Sequence, residues 1–295
     1  MLEQLKLHTM KLLVTGGSGL LGRALFREAS AQDIAVVGTY NSNPYAGGIE
    51  VDITQSAQVR AAIQSVAPDC VIHTAAFTDV DRCEAETRRA WRVNALGTKN
   101  VAEASRKFDT RVIYISTDYV FDGETGPYSE EDLTHPINVY GQSKLAGERF
   151  TLADPHNAVA RVCVLYGPGK FNFVTWVIDS LRANRRIHVV NDQYGTPTYV
   201  GNCARALLRM CERRLTGIYH VSGREQLNRY DFARAIADVY GLNEKLISVT
   251  TTDRLQQRAQ RPMNSSLRVE KAERALEMRM ADVHEGLVSM RDEWQ

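Results

Sequence analysis

The sequence predicts an α/β fold, a doubly wound parallel sheet followed by a smaller C-terminal α/β part. Three observations carry this expectation. Short apolar runs alternate with stretches of helical spacing over the first 165 residues. The runs are apolar throughout rather than at every second position, as in strands covered on both faces. The first run closes on a glycine-rich turn that opens a helix.

The elements follow in order. Residues 1–9 are polar and patternless and read as a tail, with Met10 as an alternative start. Lys11–Thr15 is a strand, residues 20–31 a helix, and residues 34–39 a second strand. A helix over 55–66, a strand over 70–74, a long helical stretch over 82–107 and a strand over 111–116 continue the alternation. Residues 122–137, with Gly123, Gly126, Pro127 and Pro136, form a long loop of the kind that often serves function. A helix over 138–153 and a strand over 159–165 follow. Beyond Gly167 the elements shorten, with helices near 173–183, 199–214 and 229–240 and strands near 187–190 and 217–221. Residues 166–295 are expected to form mainly a substrate-binding part, some of whose segments return to the first sheet.

Composition narrows the function classes. The 295 residues carry 36 Lys and Arg against 35 Asp and Glu, a net charge of +1. That balance argues against a nucleic-acid footprint or a polybasic membrane surface. No apolar run approaches the roughly 18 residues that a membrane span requires. Five scattered cysteines (70, 83, 163, 203, 211) lack a Cys-x-x-Cys pair. They speak against a disulfide scaffold or a cysteine zinc site and for a reducing cytoplasm. The seven histidines form no metal-binding spacing, so no metal is expected, and His73 at a strand end reads as packing. Glu130, Glu131 and Asp132 read as a solvated loop face.

Gly16-Gly-Ser-Gly19-Leu-Leu-Gly22 sits between the first strand and its helix. Gly16 allows the tight turn, Gly19 lets backbone approach a pyrophosphate, and Gly22 lets helix and strand pack closely. The helix N-terminus then offers free N–H groups and partial positive charge to phosphates. This is a Rossmann-type cofactor site, on a domain spanning 10–165. The residues around the turn, Ser18, Leu20 and Leu21, belong to it. The second strand ends Thr39-Tyr40-Asn41-Ser42, without the acid that would grip a ribose 2′-hydroxyl and repel a 2′-phosphate. NADP(H) is therefore favoured, with NAD(H) as the alternative. Asn41 and Ser42 can donate to that phosphate, and Arg23 is a candidate cation beside it.

Tyr140 and Lys144 stand four apart, on one face of the helix expected over 138–153. A neighbouring ammonium would favour the phenolate and lower the tyrosine pKa toward neutrality. Thr117, past a strand end where open α/β sheets bind ligands, could hold a substrate oxygen beside Tyr140.

The glycine loop with Tyr140-x-x-x-Lys144 resembles the extended short-chain dehydrogenase/reductases, and within them the dTDP-4-dehydrorhamnose reductase branch. The stretches that carry this are His73-Thr-Ala-Ala-Phe-Thr-Asp-Val-Asp-Arg-Cys-Glu84, Ser116-Thr-Asp-Tyr-Val-Phe-Asp-Gly123 and Tyr140-Gly-Gln-Ser-Lys-Leu-Ala-Gly-Glu148. Asp192-Gln-Tyr-Gly-Thr-Pro-Thr-Tyr199 and Arg261-Pro-Met-Asn-Ser-Ser266 add to it. The resemblance implies Thr117, Tyr140 and Lys144 as the catalytic triad of a nucleotide-sugar 4-keto reductase. It implies that Asp52 and Ile53 contact the adenine, that Ala75, Ala76 and Thr78 line the cofactor channel, and that Asn94 supports the site. It implies Asp118 at the sugar, and Asn172, Phe173, Gln193 and Arg261 at the substrate diphosphate. The implied partner is a dTDP-4-keto-6-deoxyhexose, with no nucleic acid or membrane partner and a homodimer as the candidate assembly.

Val164 stands where the family often has a tryptophan beside the substrate, which leaves the sugar open. Leu20-Leu21 replaces a frequent Gln-Leu. Two other readings share the fold. The chain also resembles the beta subunit of methionine adenosyltransferase, a non-catalytic NADP-binding regulatory subunit with an aliphatic residue at the Val164 position. A dehydratase would carry Thr-Asp-Glu where this chain has Thr117-Asp118-Tyr119, and an epimerase a Ser-Ser or Ser-Ala pair.

Overall fold

The computed structural model describes residues 10–294. The tail expected over residues 1–9 lies outside the described residues. The first half runs β1 (Lys11–Thr15), α1 (Leu20–Ser30), β2 (Ala35–Tyr40), β3 (Ile49–Glu50), α2 (Ser56–Val66) and β4 (Cys70–His73). It continues through α3 (Val80–Ala85), α4 (Thr87–Ala90), a π-wound turn (Trp91–Gly97), α5 (Thr98–Lys107) and β5 (Arg111–Thr117). After α6 (Val139–Leu152) come β6 (Ala158–Val162), β7 (Leu165–Tyr166), α7 (Phe173–Arg182), β8 (Ile187–Val190), β9 (Tyr194–Gly195) and β10 (Thr198–Tyr199). The chain closes with α8 (Val200–Glu212), β11 (Gly217–His220), β12 (Leu227–Asn228), α9 (Arg229–Val239), β13 (Ile247–Thr250), α10 (Glu270–Leu276) and α11 (Val283–Trp294).

Seven parallel strands make the central sheet in the order β11-β6-β5-β4-β1-β2-β3. The order reverses between β4 and β1, so their C-terminal ends flank the crevice where open α/β sheets bind ligands. Side chains alternate faces along each strand. Leu12, Val14, Ile72 and Ile113 pack with Leu21 and Leu25 of α1 and Ala204 and Leu207 of α8. Leu13, Val71 and Val112 face the other layer, against Val59 and Ile63 of α2 and Val101 of α5. Burial on both faces explains why these strands read as unbroken apolar runs.

Three departures from the sequence expectation matter to the site. The helical stretch over 82–107 is broken at Glu86, which takes φ −116° and ψ 47°, and is widened into the π turn. The strand expected over 159–165 stops at Val162. Val164 then adopts φ +44°, in the left-handed region, and β7 leaves the sheet to pair with β10. The C-terminal β13, α10 and α11 were not expected. β11 lies at the edge of the main sheet beside β6, and α8 packs on α1.

Candidate active site

A cavity of about 650 Å³ opens along the C-terminal ends of β1, β4 and β5. Its first wall is the glycine turn. Gly16 takes φ +73°, and the Gly17 N–H donates to the Thr39 carbonyl at 2.7 Å. A Cβ at Gly22 would meet the Gly16 carbonyl oxygen at 2.6 Å and the Gly17 Cα at 2.7 Å. Gly22 is therefore a packing glycine behind the wall, whereas Gly16, Ser18, Gly19, Leu20 and Leu21 face the cavity. Arg23 is exposed outside the lining, and its Nε donates to the Ser18 carbonyl at 3.3 Å.

Asn41, Ser42, Asp52, Ile53, Ala75, Ala76 and Thr78 all line the same cavity. Asn100 holds Ile53 through its carbonyl at 2.9 Å, and the Asp52 carboxylate accepts the Thr54 N–H at 2.9 Å. Asn94 is fully buried in the π turn and does not reach the cavity surface. Its amide accepts the Phe77 N–H at 2.8 Å and donates to the Phe77 carbonyl at 3.0 Å and the Ser143 hydroxyl at 3.1 Å. It ties the loop after β4 to α6. π turns are frequent at functional sites.

Thr117 ends β5 and caps the short turn that follows, accepting the Tyr119 N–H at 3.2 Å. Its hydroxyl donates to Asp118 at 3.0 Å. Asp118 also receives Cys163 Sγ at 3.2 Å and the Ser265 hydroxyl from the far end of the chain. Burial raises the Asp118 pKa, and the hydrogen bonds from Ser265, Cys163 and Thr117 oppose that rise.

α6 begins at Asn138, whose side chain accepts the Gly141 N–H at 2.8 Å. The helix brings Tyr140 and Lys144 to the cavity wall beside Thr117. Tyr140 makes an edge contact with Tyr119, ring centres 6.0 Å apart. The expected lowering of its pKa does not occur here. Burial raises it, and a hydrogen bond with Thr117 opposes the rise. Lys144 instead donates to the Ile115 carbonyl at 2.6 Å and lies 4.1 Å from the Tyr114 ring centre. Burial lowers the Lys144 pKa to about 7, against the carboxylate of Glu148. Glu148 was missed by the sequence reading, although its spacing of four from Lys144 was visible. It accepts Ser116 Oγ at 2.5 Å and pairs with buried Arg161.

Val164 and Asn172 line the cavity with Asp118. Asn172 is also the N-cap of α7, accepting the Val174 N–H at 3.0 Å. Phe173, Gln193 and Arg261 do not reach the lining. Phe173 stacks on Phe232, ring centres 5.5 Å apart. Gln193 donates to Thr252 at 3.0 Å. Arg261 is paired with Asp81 at 3.0 Å and donates to the Ala259 carbonyl at 3.1 Å. The sequence reading also missed Tyr40, Tyr119, Phe171 and Arg229 on the wall. No local signal marks them, because the fold alone brings them together.

The arrangement is that of a carbonyl reductase. A glycine cradle for a dinucleotide, a phenol held beside a hydroxyl, and a lysine behind them share one cavity. A family model described as the RmlD substrate binding domain matches residues 10–295. The dTDP-4-dehydrorhamnose reductase of Aggregatibacter actinomycetemcomitans is 35% identical over 302 residues, which cover 95% of this chain and 98% of that one. The Methionine adenosyltransferase 2 subunit beta of Xenopus laevis is 33% identical over 282 residues, covering 92% and 84%. A crystal structure of dTDP-4-dehydrorhamnose reductase from Bacillus anthracis in complex with NADP aligns with a TM-score of 0.89. It is 32% identical, and the alignment covers 97% of this chain and 99% of that one. From its sequence, its sheet and its site, the chain belongs to the RmlD substrate-binding domain family of extended short-chain dehydrogenase/reductases.

Proposed function

We propose that the chain is an NAD(P)H-dependent oxidoreductase that reduces the 4-keto group of a dTDP-linked 6-deoxyhexulose. Its product would be dTDP-L-rhamnose or a related sugar, as the names of the reductase relatives suggest. The observation that carries the reading is the meeting of Thr117, Tyr140 and Lys144 with the Gly16–Gly19 turn in one cavity.

The residues fit a dinucleotide. The turn at Gly16 and Gly19 leaves its backbone open to a pyrophosphate, and side chains at Gly16 or Gly22 would collide with neighbouring backbone. Asn41 and Ser42, with no acid at the strand end, favour NADP(H), with NAD(H) as the alternative. Asp52 and Ile53 would flank the adenine, and Ala75, Ala76 and Thr78 the channel beyond. When bound, the cofactor supplies the hydride.

The chain's own residues supply the proton. A phenol whose pKa is raised by burial stays protonated at neutral pH, as a proton donor must. Tyr140 would hand its proton to the sugar oxygen as negative charge develops there. Thr117 would orient that oxygen, and Lys144, one helical turn on and held by the Ile115 carbonyl, would fix the cofactor side of the wall. Asp118 and Val164 would border the sugar, and Asn172, on the same wall, the diphosphate. Arg261 would reach a diphosphate only by leaving Asp81.

The beta-subunit relatives, with the aliphatic Val164 on the wall, favour a second reading as a non-catalytic NADP-binding regulatory subunit. We further infer a cytoplasmic protein acting as a homodimer, with residues 10–165 carrying the cofactor and 166–295 mainly the substrate. All five cysteines are free and buried, and no described helix is long and apolar enough to cross a membrane. The test is consumption of NADPH and NADH with dTDP-4-keto-6-deoxy-L-mannose generated in situ, wild type beside Tyr140→Phe. Turnover lost in the variant supports the reductase. Tight NADP(H) binding without turnover, and co-purification with a synthetase, support the regulatory subunit.

A further inference from the structure

Three cationic side chains border the cavity: Arg89, Lys144 and Arg229. Two of them are committed within the protein. Arg89 donates to Glu86 at 2.9 Å and covers the Phe77 ring at 4.6 Å. Lys144 is held by the Ile115 carbonyl. The Arg229 guanidinium makes no hydrogen bond or ion pair with another described residue. It lies over the Phe173 ring at 5.3 Å, a contact that engages none of its N–H donors.

The root of this side chain is fixed even though its head is free. The Arg229 N–H donates to the Gln193 carbonyl at 3.1 Å. Asn228 before it caps α9 through the Asp231 N–H at 2.8 Å and pairs with Tyr194 across β12 and β9. The guanidinium acts at the reacting end of the cavity. Burial raises the pKa of Asp118 and of Tyr119, and the Arg229 charge draws both back. The Asp118 oxygens are already taken by Thr117, Cys163 and Ser265, so this carboxyl does not pair with Arg229. A guanidinium with unused donors on a concave wall favours an anion with planar or tetrahedral oxygens.

We propose that Arg229 is a specificity-determining residue that binds an anionic oxygen group of the substrate, either the diphosphate of a nucleotide sugar or a carboxylate on its sugar ring. The inference rests on the nucleotide-sugar reading above. Arg261, assigned to the diphosphate by resemblance, is engaged with Asp81 instead.

The test is calorimetric titration of the full chain, loaded with NADP, with dTDP, dTMP, dTDP-glucose and dTDP-glucuronate. Wild type, Arg229→Leu and Arg229→Lys are compared, with melting temperature and NADPH affinity recorded for each. If the diphosphate is the ligand, Arg229→Leu weakens dTDP about tenfold or more and dTMP far less. If a ring carboxylate is the ligand, dTDP is unchanged and the wild type's preference for dTDP-glucuronate over dTDP-glucose disappears. Arg229→Lys keeps part of the affinity in either case, which a purely structural role would not produce. Affinities equal within about twofold in wild type and Arg229→Leu overturn the inference. A wild type that binds none of the four overturns the nucleotide-sugar reading, and this inference with it.

Discussion

Glu148 and Arg161 form a two-pronged ion pair inside the protein, with contacts of 2.9 and 2.8 Å and side chains 2% and 3% exposed. The pair sits one helical turn past Lys144 and accepts Ser116 from the end of β5. It therefore anchors the face of α6 that carries Tyr140 and Lys144 to the sheet. Buried pairs add little net stability over an apolar replacement, but leaving one partner alone is costly.

Glu148→Gln should thus destabilise the protein by about 3–5 kcal/mol by stranding the guanidinium. Adding Arg161→Met should recover much of that loss. Urea denaturation of the single and double variants measures both. Equal stability of Glu148→Gln and wild type would show that the pair is not load-sharing in the fold.

Tyr140→Phe removes the proposed proton donor and leaves the ring contact with Tyr119. A fall in kcat of about 10²–10⁴-fold is expected, with NADPH affinity retained. Steady-state kinetics and a fluorescence titration of NADPH check the two halves of this statement.

Gly22→Ala places a Cβ 2.6 Å from the Gly16 carbonyl oxygen, against backbone that cannot rotate away. The turn must shift, at a cost of about 1–3 kcal/mol. NADPH binding should weaken together with thermal stability. Loss of stability alone would place the shift elsewhere than in the cradle.

Burial, with a further push from Lys144, lowers the His73 pKa from 6.5 to about 3, and burial beside Arg161 does the same for His220. Below pH 6.5 the unfolded chain takes up protons that the folded chain refuses. The stability these neutral histidines confer is complete above that pH and drains as pH falls toward 3. Each contributes up to about 1.4 kcal/mol per pH unit over that window. Urea midpoints at pH 7, 6 and 5 should fall steadily in the wild type and less steeply in His73→Gln.

Much of this was legible in the sequence for reasons that can be named. β1, the turn and α1 announce themselves because an apolar run, three spaced glycines and an amphipathic stretch are all local signals. Tyr140 and Lys144 are legible because helical spacing fixes their common face. The break at Glu86 and the π turn are not, since the contacts that go with the π turn, Asn94 with Phe77 and Ser143, join residues far apart in the chain. Arg261 looks like a phosphate ligand from its chemistry, but its partner Asp81 lies 180 residues away in the chain. The left-handed Val164 and the two-residue strands around it carry no periodicity. α10 spans seven residues, too few to show a helical stripe.

The position of β11 bears on how such a protein can be cut or recombined. A fragment ending near residue 165 would expose the hydrogen-bonding edge of β6 that β11 covers and strip α8 from α1. Bare strand edges invite self-association. The chain is laced rather than hinged. The C-terminal segment is therefore bound into the same sheet and helix layer as the glycine turn, and cannot be exchanged as a cassette without opening both.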